Sequence, residues 1–206
     1  MRQWIRYQAW TLVVLAGLGV GVLFFLQGRG VGAKATPSWI ETRGAQFMRS
    51  WLIPGDYKRR LNPVTVSPGI LVAGREHFAD HCATCHGNDG KGQTEIGRSL
   101  YPPAPDMTQP RTQNLTDGEL FYIIENGVRL TGMPGWSTHT IEGETASWHL
   151  VHFIRSLPKL TPEEIEEMKA FNPKSREEFE QEKAEEDFLN GGNATPPSPP
   201  EHHHPQ

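Results

Sequence analysis

Apolar positions fall into distinct regimes along the chain. No charged residue occurs between Tyr7 and Gly28, and Thr11 to Leu26 is almost entirely aliphatic or glycine. At 1.5 Å per residue such a helix is roughly 33 Å long, enough to cross a hydrocarbon core of about 30 Å. Trp4, Tyr7 and Trp10 lie at its start, where an interfacial aromatic belt would sit. A different pattern follows. Ile40, Phe47, Met48, Trp51 and Leu52 recur near helical spacing with Glu41, Arg43, Gln46 and Arg49 between them, and Ser38 with Glu41 makes a capping box. This predicts an amphipathic helix that ends before Pro54-Gly55 and that lies in the membrane interface, grips a partner protein or packs on its own chain. Asp56 to Val66 reads as an extended connector.

Ser67-Pro68 then opens a helix, with an N-cap residue and proline at the first turn. Ile70, Leu71, Gly74 and Phe78 form its apolar stripe, and His77 and His81 read as surface or packing residues. Gly87 to Gly97 reads as loop, and four prolines between Leu100 and Pro110 exclude a regular helix there. Thr116 and Glu119 form a second capping box, Leu120, Phe121, Ile123 and Ile124 supply a buried face, and Gly127 is the natural C-terminal stop. Gly132 to Trp136 is a tight non-helical segment. A further helix over about Thr145 to Leu157 carries Trp148, Val151, Phe153 and Ile154, and Pro158 ends it. Thr161-Pro162 and Ser175 start two more helices. From Glu163 to Asp187 there are 11 acidic and 4 basic residues, a solvated face by its composition. The last stretch is proline-rich and predicts disorder; its His202, His203 and His204 are at most a loose metal-binding run.

Composition adds two constraints. With 17 prolines, 21 glycines and 36% hydrophobic residues, the chain is loop-rich. A net charge of −4 offers no footprint for nucleic acid.

The candidate chemistry is concentrated in Cys82-Ala83-Thr84-Cys85-His86, which holds both cysteines of the chain. Two thiols at this spacing, followed directly by an imidazole, suit covalent attachment of haem: each thiol can add to a vinyl group, and the histidine can ligate the iron. A thioredoxin-type dithiol would sit in a βαβ pattern that the chain lacks, and zinc would need two more ligands at suitable spacing. A thioether is a soft neutral ligand suited to the second axial position, and Met133, flanked by Gly132 and Pro134, is the main candidate. Met107 in the proline-rich loop is its rival, followed by His139 or His149.

With these elements in place, the stretch from Ser67 to Leu157 resembles a class I c-type cytochrome. Gly74 and Phe78 stand eight and four residues before Cys82, where that family has a glycine and an aromatic at the crossing of its first and last helices. The ending Phe153-Ile154-Arg155-Ser156-Leu157-Pro158 is also typical. The resemblance implies one covalent haem c with His86 and Met133 as axial ligands. It further implies a proline carbonyl, from Pro102 or Pro103, as acceptor for the His86 N–H, with Tyr101 and Trp136 near the haem carboxylates. Because the family acquires haem outside the cytoplasm, it places the chain in the bacterial inner membrane with its haem domain on the periplasmic side.

The resulting expectation is an all-α chain: a transmembrane anchor (1–28), a juxtamembrane helix and connector (29–66), a small cytochrome c haem domain (67–158), an acidic helical extension (159–189) and a disordered tail (190–206). Ala33-Lys34-Ala35 matches a signal cleavage site, yet it lies far from the apolar run, which favours a retained anchor. The expected role is one-electron transfer, with membrane redox complexes or periplasmic oxidoreductases as donor and acceptor. The alternatives are a haem subunit of a larger complex and a peroxidase or sensor with a labile distal ligand.

Overall fold

The computed structural model describes residues 2–30 and 32–190. The expected disordered tail with His202 to His204 lies outside the described residues, apart from Asn190. Among the described residues all regular structure is helical. In chain order the helices are α1 (Arg2–Arg29), α2 (Trp39–Leu52), α3 (Gly55–Lys58), α4 (Pro68–His77), α5 (Ala83–His86), α6 (Glu95–Ser99), α7 (Pro110–Gln113), α8 (Asp117–Asn126), α9 (Ile141–Ser156), α10 (Pro162–Glu167) and α11 (Arg176–Leu189).

The caps fall where the side chains can make them. Ser38, Thr116, Thr161 and Ser175 each accept from the backbone N–H three residues on, and Glu41, Glu119, Glu164 and Glu178 return the bond to the cap. Ser67 caps α4 in the same way through the Ile70 N–H. In α1, Gln3–Gly28 contains an 18-residue window with a mean hydropathy of 2.3, no part of which packs against the rest of the chain.

The core forms where α4 crosses α9. A Cβ on Gly74 would stand 2.5 Å from the His149 carbonyl oxygen and 3.0 Å from the Phe153 Cβ, so only glycine admits this approach. Just beyond the crossing, Phe78 meets Phe153 with ring centroids 5.1 Å apart. Phe121 of α8 stacks on Trp148 of α9 at 4.1 Å. Arg155 of α9 is bound by Asp117 at 2.8 Å and by the Gln113 and Leu115 carbonyls, which fixes the start of α8.

Three sequence expectations change. Asp56 to Val66 is more than an extended connector: Tyr57 of α3 stacks near Phe121, and the Arg60 guanidinium lies 4.8 Å from the Phe121 ring centre and 5.5 Å from Trp148. Asn62 donates to the Trp148 carbonyl at 3.0 Å, and His152 pairs with the Val64 carbonyl at 2.7 Å. At the other end Met168 is fully buried in the same core, and Asn172 donates to the Ala79 carbonyl at 2.9 Å. Expected boundaries at 67 and 158 therefore cut through packed contacts. The stretch 87–97 is not wholly loop, because Thr94 caps α6 through the Gly97 N–H. The last core helix begins at Ile141, earlier than Thr145, because Thr140 caps it.

The Gly74 crossing yields a prediction. Gly74→Ala should cost about 1–3 kcal/mol through overpacking. Gly69→Ala, in the same helix with nothing within 4 Å of the added Cβ, should be neutral or stabilising. Chemical denaturation of both variants measures the contrast.

Candidate functional site

The chain does not pass from α4 to α5 as one regular helix. Phe78–Cys82 forms a π-helical turn, a widening of the helix that recurs at functional sites. It is followed directly by α5, which ends on His86 and Gly87 (φ 72°). A single half-open cleft receives side chains from the cysteine motif, the proline loop, α8 and the methionine segment: Cys82, Cys85, His86, Pro102, Pro103, Met107, Ile124, Met133 and Trp136 all line it. Residues that lie up to 54 positions apart in the sequence, Cys82 and Trp136, thus face one mostly apolar space.

The thiols and the imidazole have distinct electrostatic settings. Burial, with Cys85 adding to it, pushes the Cys82 thiol up to about 12. A redox dithiol needs a lowered thiol pKa, so this environment disfavours that chemistry. Burial also lowers the His86 pKa and keeps the ring neutral at pH 7, as a metal ligand must be; the Pro105 carbonyl acts weakly in the opposite sense. That carbonyl makes no bond of good geometry, so His86 Nδ1 stays buried without a hydrogen-bond partner. The proline carbonyl that acts on the ring, weakly, is that of Pro105, whereas the resemblance implied Pro102 or Pro103; all three prolines line the cleft.

The two methionines differ in setting. Met107 is 7% exposed and belongs to the apolar core. Its backbone is pinned on both sides: its N–H donates to the Gly90 carbonyl at 2.8 Å, and its carbonyl accepts from Gln113 at 2.7 Å. Met133 is half-buried in a loop held to the end of α8. Its N–H donates to Thr131 Oγ1 at 3.1 Å, and its carbonyl accepts from the Val128 N–H at 3.1 Å. Trp136 N–H donates to the Ile124 carbonyl at 3.0 Å and closes the loop. Gly127 (φ 68°) is the pivot, since a Cβ there would lie 2.6 Å from the Met133 carbonyl oxygen.

Of the outer candidates, Trp136 is in the lining and stacks edge-on with His81 at 5.3 Å. Tyr101 is not; its hydroxyl donates to Glu41 of α2 at 3.2 Å. His139 and His149 do not line the cleft. Sequence reasoning missed Ala45, Gln46 and Arg49 of α2, which do. The signal was present, because Thr42, Ala45, Gln46 and Arg49 share the helix face opposite Ile40, Phe47 and Trp51.

Residues 71–154 match the family described as cytochrome c oxidase, cbb3-type, subunit III. The chain carries a class I c-type cytochrome domain. A cbb3-type cytochrome c oxidase subunit FixPc of Rhizobium leguminosarum bv. viciae is 35% identical over 91 residues, covering 44% of this chain and 29% of that protein. A FixP subunit of Azorhizobium caulinodans is 36% identical over 110 residues, covering 46% of this chain and 32% of that protein. The chain thus spans less than a third of the length of the curated relatives it matches. A c-type cytochrome domain implies haem c, and the cleft fits that group: two thiols and a neutral imidazole stand at the edge of an apolar space. With α1 exposed and apolar, this cytochrome is membrane-anchored.

The pivot glycine can be tested without reference to the cofactor. Gly127→Ala should cost about 2 kcal/mol or more from the positive φ and the blocked approach. Amide hydrogen exchange should accelerate at Val128 and Trp136, which sit in the loop, more than at Val151 in the core, whose rate follows the loss of global stability.

Proposed function

We propose that the protein is a membrane-anchored cytochrome with one covalent haem c, passing single electrons within or beside a membrane redox complex. The observation that carries the reading is the convergence of Cys82, Cys85, His86 and Met133 on one apolar cleft. Cys82 and Cys85 would hold the group covalently, each thiol becoming a thioether by addition to a vinyl group. His86 and Met133 would bind its iron, and Met107 packs beneath the cleft. The haem, when bound, supplies a one-electron iron couple.

With both of these side chains on the iron, no site would be left for a substrate, and transfer would be outer-sphere. The protein's part is then to exclude water from the cleft and to set the potential through the soft Met133 thioether. This makes the domain a relay without catalysis of its own. The relatives named as oxidase subunits support the role of a haem-bearing subunit over that of a free carrier. Its partners are the redox complex at the membrane and any periplasmic oxidoreductase that exchanges electrons with it. The N-terminus faces the cytoplasm and the haem domain the periplasm, because haem c is attached on that side.

The test is spectroscopic. The oxidised protein should show a methionine–iron charge-transfer band and bind carbon monoxide poorly when reduced; a high-spin spectrum with ready carbon monoxide binding would sink the relay. Met133→Ala should lower the midpoint potential and open the iron, while Met107→Ala should leave both unchanged. The reverse pattern would hand the ligand to Met107. Cys82→Ala with Cys85→Ala should abolish haem staining on a denaturing gel.

A further inference from the structure

Helix α2 lies outside residues 71–154, yet one of its faces closes the cleft. Its apolar side chains point away: Trp39, Ile40, Phe47 and Trp51 are 65–75% exposed. The opposite face carries Arg49, which lines both the cleft and an adjoining shallower cavity of about 550 Å³. Arg111 of α7 lines the same two spaces. Among the described residues neither guanidinium forms a hydrogen bond or ion pair, and Arg49 Nε is buried without any partner. Burial and the charge of Arg111 both lower the Arg49 pKa, against a smaller opposing pull from Glu119. Glu119 itself is engaged, accepting from the Thr116 N–H at 2.8 Å in its capping box.

Two neighbouring cations at the mouth of an apolar cleft are costly unless an anion joins them. The group the cleft fits is itself anionic, since haem carries two carboxylates on one edge. We infer that Arg49, together with Arg111, receives a haem carboxylate, so that α2 is a lid held on the cytochrome domain by the cofactor as well as by the Tyr101–Glu41 bond. This rests on the haem reading proposed above. A bidentate guanidinium–carboxylate pair is the geometry such a site favours. It makes Arg49 a positioning residue, and its positive charge stabilises the reduced haem relative to the oxidised form.

The experiment uses the full chain, isolated with its haem, and compares wild type with Arg49→Gln, Arg49→Lys, Arg111→Gln and Arg43→Gln. Haem staining on a denaturing gel comes first; absence of covalent haem in the wild type would overturn both the haem reading and this one. With haem present, Arg49→Gln and Arg111→Gln should lower the midpoint potential. Arg49→Gln should also speed chymotryptic cleavage within α2 about ten-fold by loosening the lid. Arg49→Lys should keep most of the potential, and Arg43→Gln should match wild type. Should Arg49→Gln fail to mature, Arg111→Gln and Arg49→Lys carry the comparison. Wild-type potential and cleavage in the Gln variants would overturn the inference while leaving the haem reading intact. So would a midpoint that shifts when inorganic phosphate replaces chloride at fixed ionic strength, because the pair would then be open to a solution or headgroup phosphate.

Discussion

The approach of two backbones at Gly74 is the constraint on which the rest of this molecule depends. Because nothing larger than hydrogen fits against the His149 carbonyl, α4 and α9 meet closely enough for Phe78 to reach Phe153. That contact fixes where the helix ends and therefore where Cys82 emerges. The π-helical turn follows at once, and α5 carries His86 into the cleft. The other face of α9 stacks Trp148 on Phe121 and so sets the position of α8, whose far end holds the methionine loop. Both sides of the cleft are thus referred to one crossing.

The cleft is built from parts of unequal rigidity. Its floor is core: Met107, Leu120, Ile124 and Ile154 are buried side chains that also line it. Its two edges, which carry His86 and Met133, are set by short-range devices, α5 on one side and a loop clasped by Thr131 and pivoting on Gly127 on the other. Electrostatics follow the same division. Burial acts against charge on His86 and on Cys82, while the only charged side chains in the lining besides histidines come from α2 and α7 among the described residues.

Most of the framework was legible in the sequence because it depends on local chemistry. Capping pairs such as Thr116 with Glu119 and Ser67 before Pro68 act within one turn, and the glycine at 127 announces a helix end. The cysteine motif was equally plain, since its meaning lies in spacing. What escaped depends on distant partners. Nothing local marks Tyr57 or Met168 as packed into the core, or Arg60 as the cation over its aromatic rings, because each takes that place only once α8 and α9 have assembled. Pro105 was passed over for Pro102 and Pro103 because three prolines stand within four positions and only the loop's path separates them. The face of α2 that meets the cleft was masked by the stronger apolar pattern on its other side.

The short leash between α1 and α2 has a geometric consequence. From Arg29 to Trp39 there are ten residue steps, which even fully extended reach at most about 35 Å. A domain of this size so tethered cannot leave the membrane surface, but it can turn above it. For such a domain the free variable is rotation, which decides the side of the cleft that looks along the surface. The outward Trp39, Phe47 and Trp51 of α2 lie on one side of that rotor, so any surface that receives them also decides the direction in which the cleft looks.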